Sequence, residues 1–284
     1  MVEGTIHDLG YQRYTGPRLG RGKAVRALYS YGFRTAFGMG RSIKAKLFPL
    51  SIAGLLLIVA VVAAAVRAQV GITLEPLSYV NFPGTLSFLL VLFLAAITPE
   101  LTSRDLRNKV LPLYFSRPIG RDDYVLAKLA ALTSAVTLIL AIPLFVMFLG
   151  GAFGASSAKG VWSEVTDFVP GLLNAVIYAF VLSALTLLVS SLSSRRTIAA
   201  GAVVAVFIVT TPVSGMLQVI GGPTLRPLAL LFSPTGILSG LRFWLFGGTH
   251  VDIGSYGPLY AAVAVALVAA CTFLLVLRYR KVSA

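Results

Sequence analysis

Gly20-Arg21-Gly22-Lys23-Ala24 is the stretch that comes nearest to a phosphate-binding loop, in which backbone amides cradle a nucleotide. That loop needs a glycine five positions before Gly22, where Pro17 stands, and a serine or threonine after the lysine, where Ala24 stands. Ser214 and Ser239 are the candidates for a nucleophile within the membrane, a chemistry that asks for a G-x-S-G setting and a nearby histidine. Pro212 and Ile237 occupy the positions two residues before them, and His250 falls in a connecting loop. Glu164, Asp167 and His250 are the trio that could gather around a metal, but scattered loop residues of these types read better as solvated groups. The chain has 1 cysteine, Cys271, and 2 histidines, His7 and His250, far apart. That excludes a disulfide framework and any cluster of cysteine or histidine ligands. The residues therefore predict no catalytic group, no metal ligand set and no cofactor of the chain's own.

What remains is a set of hydroxyls and amides inside apolar runs: Thr133, Ser134 and Thr137, then Asn174, Tyr178 and Ser183, then Thr210, Thr211 and Ser214. Seven of these, Thr133, Thr137, Asn174, Tyr178, Thr210, Thr211 and Ser214, are the candidates for a substrate path. The alternative is that each bonds a neighbouring helix or its own backbone. Ala262, Ala266 and Ala270 form a small-residue stripe that reads as helix packing.

The elements that carry these groups follow from composition. Of 284 residues 57% are hydrophobic and 12% charged, against about 45–50% and about 25% in a soluble domain. Mean hydropathy is +0.87. A soluble enzyme domain and a disordered chain are both excluded, leaving an integral membrane protein. Stretches 47–66, 84–99, 127–150, 169–192, 197–220 and 256–277 approach or reach the roughly 20 apolar residues that a span needs, and none has an ionisable residue in its interior. They are apolar on every side, so the period-2 pattern of a membrane barrel is missing. The prediction is an all-α membrane protein with six transmembrane helices. No secretory signal peptide is expected, because the first 46 residues lack a long apolar core followed by a cleavage site.

The net charge of +14 is a topology signal. Of the 24 lysines and arginines, all but Arg67, Lys159, Arg226 and Arg242 fall on one set of flanks. The positive-inside rule then puts both termini in the cytoplasm, and no nucleic-acid partner is needed to explain the charge. Residues 225–248 are nearly long enough for a seventh span, but spanning would put the basic C-terminus outside. They are predicted as a re-entrant or outer helical pair before the last span, with Phe243 and Trp244 at headgroup level.

Residues 1–23 read as an extended cytoplasmic arm and 24–46 as an amphipathic interfacial helix. Val25, Leu28, Tyr29, Phe33, Ala36 and Phe37 make its apolar stripe, which would lie on the inner leaflet beside lipid headgroups or on a partner protein. Residues 47–284 form the transmembrane domain. The loop between spans two and three predicts a short helix over 104–115, capped by Thr102 or Ser103 and interrupted or ended at Pro112. Gly120 would cap the third span, with Asp122 and Asp123 at the positive end of its dipole.

Six spans with both ends inside, an amphipathic entry helix, a helical first cytoplasmic loop and a split outer segment resemble the type-2 ABC transporter permease family. So does the text Arg104-Asp105-Leu106-Arg107-Asn108, Leu111-Pro112-Leu113-Tyr114, Ser116-Arg117-Pro118-Ile119 and Arg121-Asp122-Asp123-Tyr124 with Lys128. The resemblance implies the membrane subunit of an exporter, a multi-pass protein of a prokaryotic cytoplasmic membrane. It would pair with a second permease chain, identical or related. Two copies of a separate cytoplasmic ATPase subunit would bind the ATP and Mg. The coupling helix, with Arg104, Asp105, Leu106, Arg107, Lys109, Val110, Leu113, Tyr114 and Arg117, would dock that ATPase. Leu106 and Tyr114 would share a face if the helix continued through Pro112, or would bury against neighbouring spans. The other classes open to such a sequence are a secondary transporter, which would need a driving-ion site, and a non-transport scaffold. Uncharged spans favour a lipid-like or amphipathic cargo.

Overall fold

The computed structural model describes residue 16 and residues 20–40, 43–70, 74–116, 119–223 and 225–281, and every regular element among them is a helix. In chain order these are α1 (Arg21–Ala36), α2 (Ile43–Val70), α3 (Phe82–Thr85), α4 (Ser87–Leu101), α5 (Ser103–Arg107) and α6 (Leu111–Phe115). Then come α7 (Arg121–Gly154), α8 (Ala158–Ser191), α9 (Arg196–Ile220), α10 (Arg226–Ala229), α11 (Pro234–Phe246) and α12 (Gly257–Lys281). Among the described residues 6 helices are long and apolar enough to cross a membrane: α2, α4 running on into α5, α7, α8, α9 and α12. With 34 residues each, α7 and α8 measure about 51 Å, well beyond the ~30 Å hydrocarbon core. Their ends therefore project from it and can carry polar chemistry.

The chain buries α4 most deeply. Two thirds of its apolar window (67%) is inside the protein, against 17% for α9 and 22% for α12, so α4, α7 and α8 are the centre and α9 and α12 the periphery. Leu90, Leu94, Leu132, Leu140, Tyr178 and Leu182 are fully enclosed at that centre. The α12 stripe Ala262, Ala266 and Ala270 faces outward; within this chain α12 packs through Tyr260, Ala264, Cys271, Leu275 and Tyr279 instead.

The helix expected over 24–46 is shorter and starts earlier. Arg21, Gly22 and Lys23, assigned to the arm, begin α1, while residues 1–15 and 17–19 lie outside the described residues. α1 ends at Ala36 because the chain then turns through Gly38 and Gly40, both left-handed (φ 65° and 76°), a conformation open chiefly to glycine. The apolar stripe of α1 packs on α7 and α4, with Leu28, Gly32, Thr35 and Ala36 buried. Gly32 makes the approach to α7 possible, since a Cβ there would lie 2.9 Å from the Ala131 Cβ.

The helical pair predicted over 225–248 is present as α10, a 3-10 turn at Leu230–Phe232, and α11. Ser233 starts α11 by accepting the Gly236 N–H at 3.0 Å, the N-cap bond that an otherwise orphan donor requires. Trp244 is 46% exposed, and the Phe243 ring meets His250 edge-on. Arg242, one of the four cations that the sequence puts opposite the basic flanks, is buried. Its guanidinium donates to Asn81 Oδ1, to the Gly247 carbonyl at 3.3 Å and to the Thr249 carbonyl at 3.0 Å.

Candidate functional site

The helix expected over 104–115, with an interruption or end at Pro112, is two short helices. α5 closes at Arg107, Asn108–Val110 form a turn with Lys109 left-handed (φ 51°), and α6 restarts with Pro112 in its first turn. Pro112 is the cause. Inside a continuous helix its ring would collide with the carbonyl of Asn108 and leave that acceptor without its N–H. At the start of a new helix the missing N–H costs nothing. Leu106 and Tyr114 therefore do not project from one continuous face. Both are half-buried against the main core.

Thr102 and Ser103 do not cap α5 through their side chains; their hydroxyls reach sideways to α8. Thr102 Oγ1 and Ser190 Oγ are 2.8 Å apart, and Ser103 Oγ donates to the Ser190 carbonyl at 3.1 Å. Thr102 also donates to the Thr98 carbonyl at 3.0 Å. Gly120 does precede α7 as expected, its N–H donating to Asp123 Oδ2 at 2.9 Å.

Asp105 is the centre of the site. Its carboxylate is buried, and Oδ2 accepts the Tyr124 hydroxyl at 2.7 Å while Lys128 Nζ stands 2.9 Å away. The Asp105 and Lys128 side chains are 7% and 3% exposed. The ammonium makes a close ion pair but no aligned hydrogen bond among the described residues. It also lies 5.4 Å and 5.8 Å from the centres of the Tyr124 and Tyr31 rings, the range of cation–π attraction. Tyr124 in turn touches Tyr114 and Phe115 of α6 (5.8 and 6.1 Å between ring centres) and Tyr279 of α12 (5.0 Å). One carboxylate thus ties α5 to α7, and one ring ties α7 to α6 and α12.

Further ion pairs gather at the same end. Arg196 at the start of α9 meets the buried Glu100 of α4 at 2.6 Å. Arg280 meets Asp122 at 3.1 Å, and Arg21 meets Asp123 at 2.7 Å. Arg278 Nε donates to the Ser191 carbonyl at 2.6 Å. Among the described residues α1, α4, α7, α8, α9 and α12 are each bonded at this basic end.

The part of the segment left open to solvent is its tip. Arg107, Asn108, Lys109, Pro112, Leu113 and Ser116 are exposed, with Leu113 at 68%. Arg104 and Val110 are half-buried, and Arg117 lies outside the described residues.

The seven polar residues singled out for a path have different surroundings. Asn174 Nδ2 donates to the Val80 carbonyl at 2.8 Å, and the Tyr178 hydroxyl is enclosed where Gly84 leaves room, a Cβ there lying 2.9 Å from it. Thr210 bonds its own helix at the Val206 carbonyl (2.6 Å). Ser214 bonds the Thr211 carbonyl (3.1 Å) and Ser233 (3.2 Å). Thr133 Oγ1 is buried without a partner among the described residues, and Thr137 is half-buried on the same helix. Thr211 borders a groove of about 310 Å³ between α4, α9 and α11, with Ser87, Phe88, Val91, Leu92, Phe207, Ile208 and Thr235 among its walls.

At the opposite end Glu164 does not join Asp167 and His250. Arg67 pairs with it through both guanidinium nitrogens, and the Tyr79 hydroxyl donates to it at 2.7 Å. Burial, and then the Glu164 carboxylate, push the Tyr79 phenol well above its usual pKa, so it remains a donor. No three of His, Cys, Asp or Glu gather as metal ligands among the described residues.

The sequence reading quoted Tyr124 and Lys128 only within the resembling text and gave neither a role, and it did not single out Glu100. A signal for the first two was present: Tyr124 and Lys128 are four apart, so they share a helix face, and Lys128 is the one cation where α7 turns apolar.

Residues 21–281 match the model of the family described as ABC-2 family transporter protein. The chain belongs to the ABC-2 transporter family. A search among curated proteins returned no match. The family match runs from the first residue of α1 to the last of α12 and so takes in all six spans, the α5–α6 segment and the outer pair. This ABC-2 chain is a multi-pass membrane protein of a transport family and not of a catalytic one.

Proposed function

We propose that this ABC-2 chain is the permease subunit of an exporter, working as a dimer and driven by separate cytoplasmic ATPase subunits that bind the tip of α5–α6. The carrying observation is the Asp105–Lys128–Tyr124 arrangement. It holds α5–α6 firmly between spans two and three while leaving Arg107, Lys109 and Leu113 free at the tip. A soluble partner that grips such a tip pulls on α7 and α12, because Asp105 and the Tyr124 ring tie the segment to both. The charge split of the sequence supports a cytoplasmic position for this end. ATP and Mg belong to the partner. The anchor of the docking face is Leu113 with a rim of Arg107 and Lys109, since Leu106 and Tyr114 are used in holding the segment. Anchors of this kind carry most of the binding energy, and rim charges mainly speed encounter.

The groove between α4 and α9 supports the cargo class. Its walls are apolar apart from Ser87, Thr211 and Thr235, which suits a lipid-like or amphipathic molecule. The outer face of α9, with Ile208, Val209, Val213 and Met216 exposed, is the face we assign to pairing with a second permease chain. A secondary transporter needs a carboxylate able to exchange its ion; Glu100 and Asp105 are instead each matched to a cation.

Co-purification decides the reading. The wild-type chain should carry an ATPase subunit, ATP turnover should belong to the complex and not to the chain alone, and Leu113→Asp should release the ATPase while the permease still inserts. Turnover by the purified chain alone, or unchanged ATPase binding by the Leu113→Asp variant, would overturn it.

A further inference from the structure

The face of α12 that turns away from the bundle has no role in the reading so far. Ala269, Thr272, Phe273, Val276 and Leu277 recur on it at i, i+3, i+4, i+7 and i+8, the spacing of one helical stripe. With Asp122 of α7 and Arg280 they line a groove of about 490 Å³, within the range of about 300–1,000 Å³ usual for ligand pockets. Its walls are apolar apart from Thr272, whose hydroxyl is spent on the Val268 carbonyl of its own helix (2.8 Å). Phe273, 62% exposed, stands out as the ridge. From Ala269 to Leu277 the helix rises about 12 Å, close to the ~15 Å that one leaflet contributes to the hydrocarbon core.

The stripe ends in charge. Arg280 and Lys281 lie three and four residues past Leu277, on the same face, and both are exposed. Arg121 joins them from α7: its Nη1 donates to the Arg280 carbonyl at 2.8 Å, and its guanidinium lies 5.5 Å from the centre of the Phe115 ring. It is thereby held beside the head of the groove. Against these three cations the groove has one carboxylate among the described residues, Asp122; its neighbour Asp123 is taken by Arg21 at 2.7 Å. Asp122 is 54% exposed and meets Arg280 through Nη2 alone, at 3.1 Å. A pair that open contributes little, and the other donors of Arg280 have no partner among the described residues. The head of the groove is a net positive cluster suited to a phosphate, which a guanidinium can hold by two parallel bonds. The body suits an alkyl chain.

We infer that this groove binds one anionic phospholipid of the leaflet at the basic end, its phosphate on Arg280, Lys281 and Arg121 and one acyl chain along Leu277, Phe273 and Ala269. Charge complementarity selects the occupant, because basic clefts beside spans take anionic headgroups, and a free phosphate would leave the apolar length of the groove unused. The face assigned to a second permease chain is on α9, and the inference uses neither that pairing nor the ATPase reading.

The test uses the full-length permease in phosphatidylcholine bilayers. Trp162→Phe and Trp244→Phe remove the 2 native tryptophans, and Phe273→Trp puts a reporter on the groove. Quenching should show dibrominated phosphatidylglycerol binding about tenfold tighter than dibrominated phosphatidylcholine, the scale expected of two basic side chains at an anionic headgroup. High salt should reduce the preference. Val265→Trp in place of Phe273→Trp reports on lipid farther along α12, at a position 69% exposed, and should show a ratio near one. Arg280→Gln with Lys281→Gln should bring the Phe273→Trp ratio towards one. A ratio near one with the basic end intact, the same preference at Val265→Trp, or a preference untouched by the double glutamine variant would each overturn the inference. No quenching by either lipid would overturn it too, by showing that a second chain covers the face. Inorganic phosphate should displace the lipid no better than chloride at equal ionic strength; stronger displacement would make this a free-anion site instead.

Discussion

Replacing Lys128 by methionine keeps the length of the side chain and removes its charge, leaving Asp105 buried with only the Tyr124 hydroxyl to stabilise it. Removing one partner of a buried ion pair typically costs about 3–5 kcal/mol, whereas replacing both by apolar groups of similar volume is often near neutral. The geometry places this pair in that class, since its side chains are 3% and 7% exposed and 2.9 Å apart. Lys128→Met and Asp105→Leu should therefore each destabilise the chain by several kcal/mol, and the double variant should recover at least ~2 kcal/mol of the summed loss. Tyr124→Phe, which deletes a hydrogen bond to a charged group, should cost about 1.5–3 kcal/mol. Equilibrium unfolding of the purified chain in mixed micelles, followed by tryptophan fluorescence and far-UV circular dichroism, gives the four corners of the cycle. A loss below about 1 kcal/mol for Lys128→Met, or a double variant no better than the worse single, would show that Asp105 is hydrated and that α5 is not held to α7 by this pair.

Gly32→Val should force α1 off α7, because its Cβ would come within 2.9 Å of the Ala131 Cβ. A cost of about 1–3 kcal/mol is expected, read as earlier proteolysis at Arg26 or Arg34, and unchanged proteolysis would refute the packing. Arg242→Met should free the segment after α11, because the Gly247 and Thr249 carbonyls lose their donor; amide exchange over residues 247–251 should accelerate. Single cysteines introduced at Ser116 and Ser194 should resist an impermeant reagent applied outside intact cells, and labelling at either would reverse the topology.

Span number and helical class followed from the sequence, because hydropathy over about 20 residues is a local property that lipid reads directly. The break at Pro112 and the Gly120 cap were legible for the same reason, each being set by a few neighbouring residues. The partners of the buried charges were not legible. Asp105 and Lys128 lie 23 positions apart across a turn, and Asn81 and Arg242 are separated by 161. Which of them meet depends on how each helix is rotated about its axis, and an apolar span leaves that rotation unmarked. The hydroxyls of spans three to five illustrate the limit: in sequence each could face a path or a neighbour, and only the assembled bundle leaves Thr211 at a groove while enclosing Asn174 and Tyr178. The stripe of α1 was visible as a stripe, but whether lipid or protein covers it was decided at Gly32, where one missing Cβ lets two helices touch.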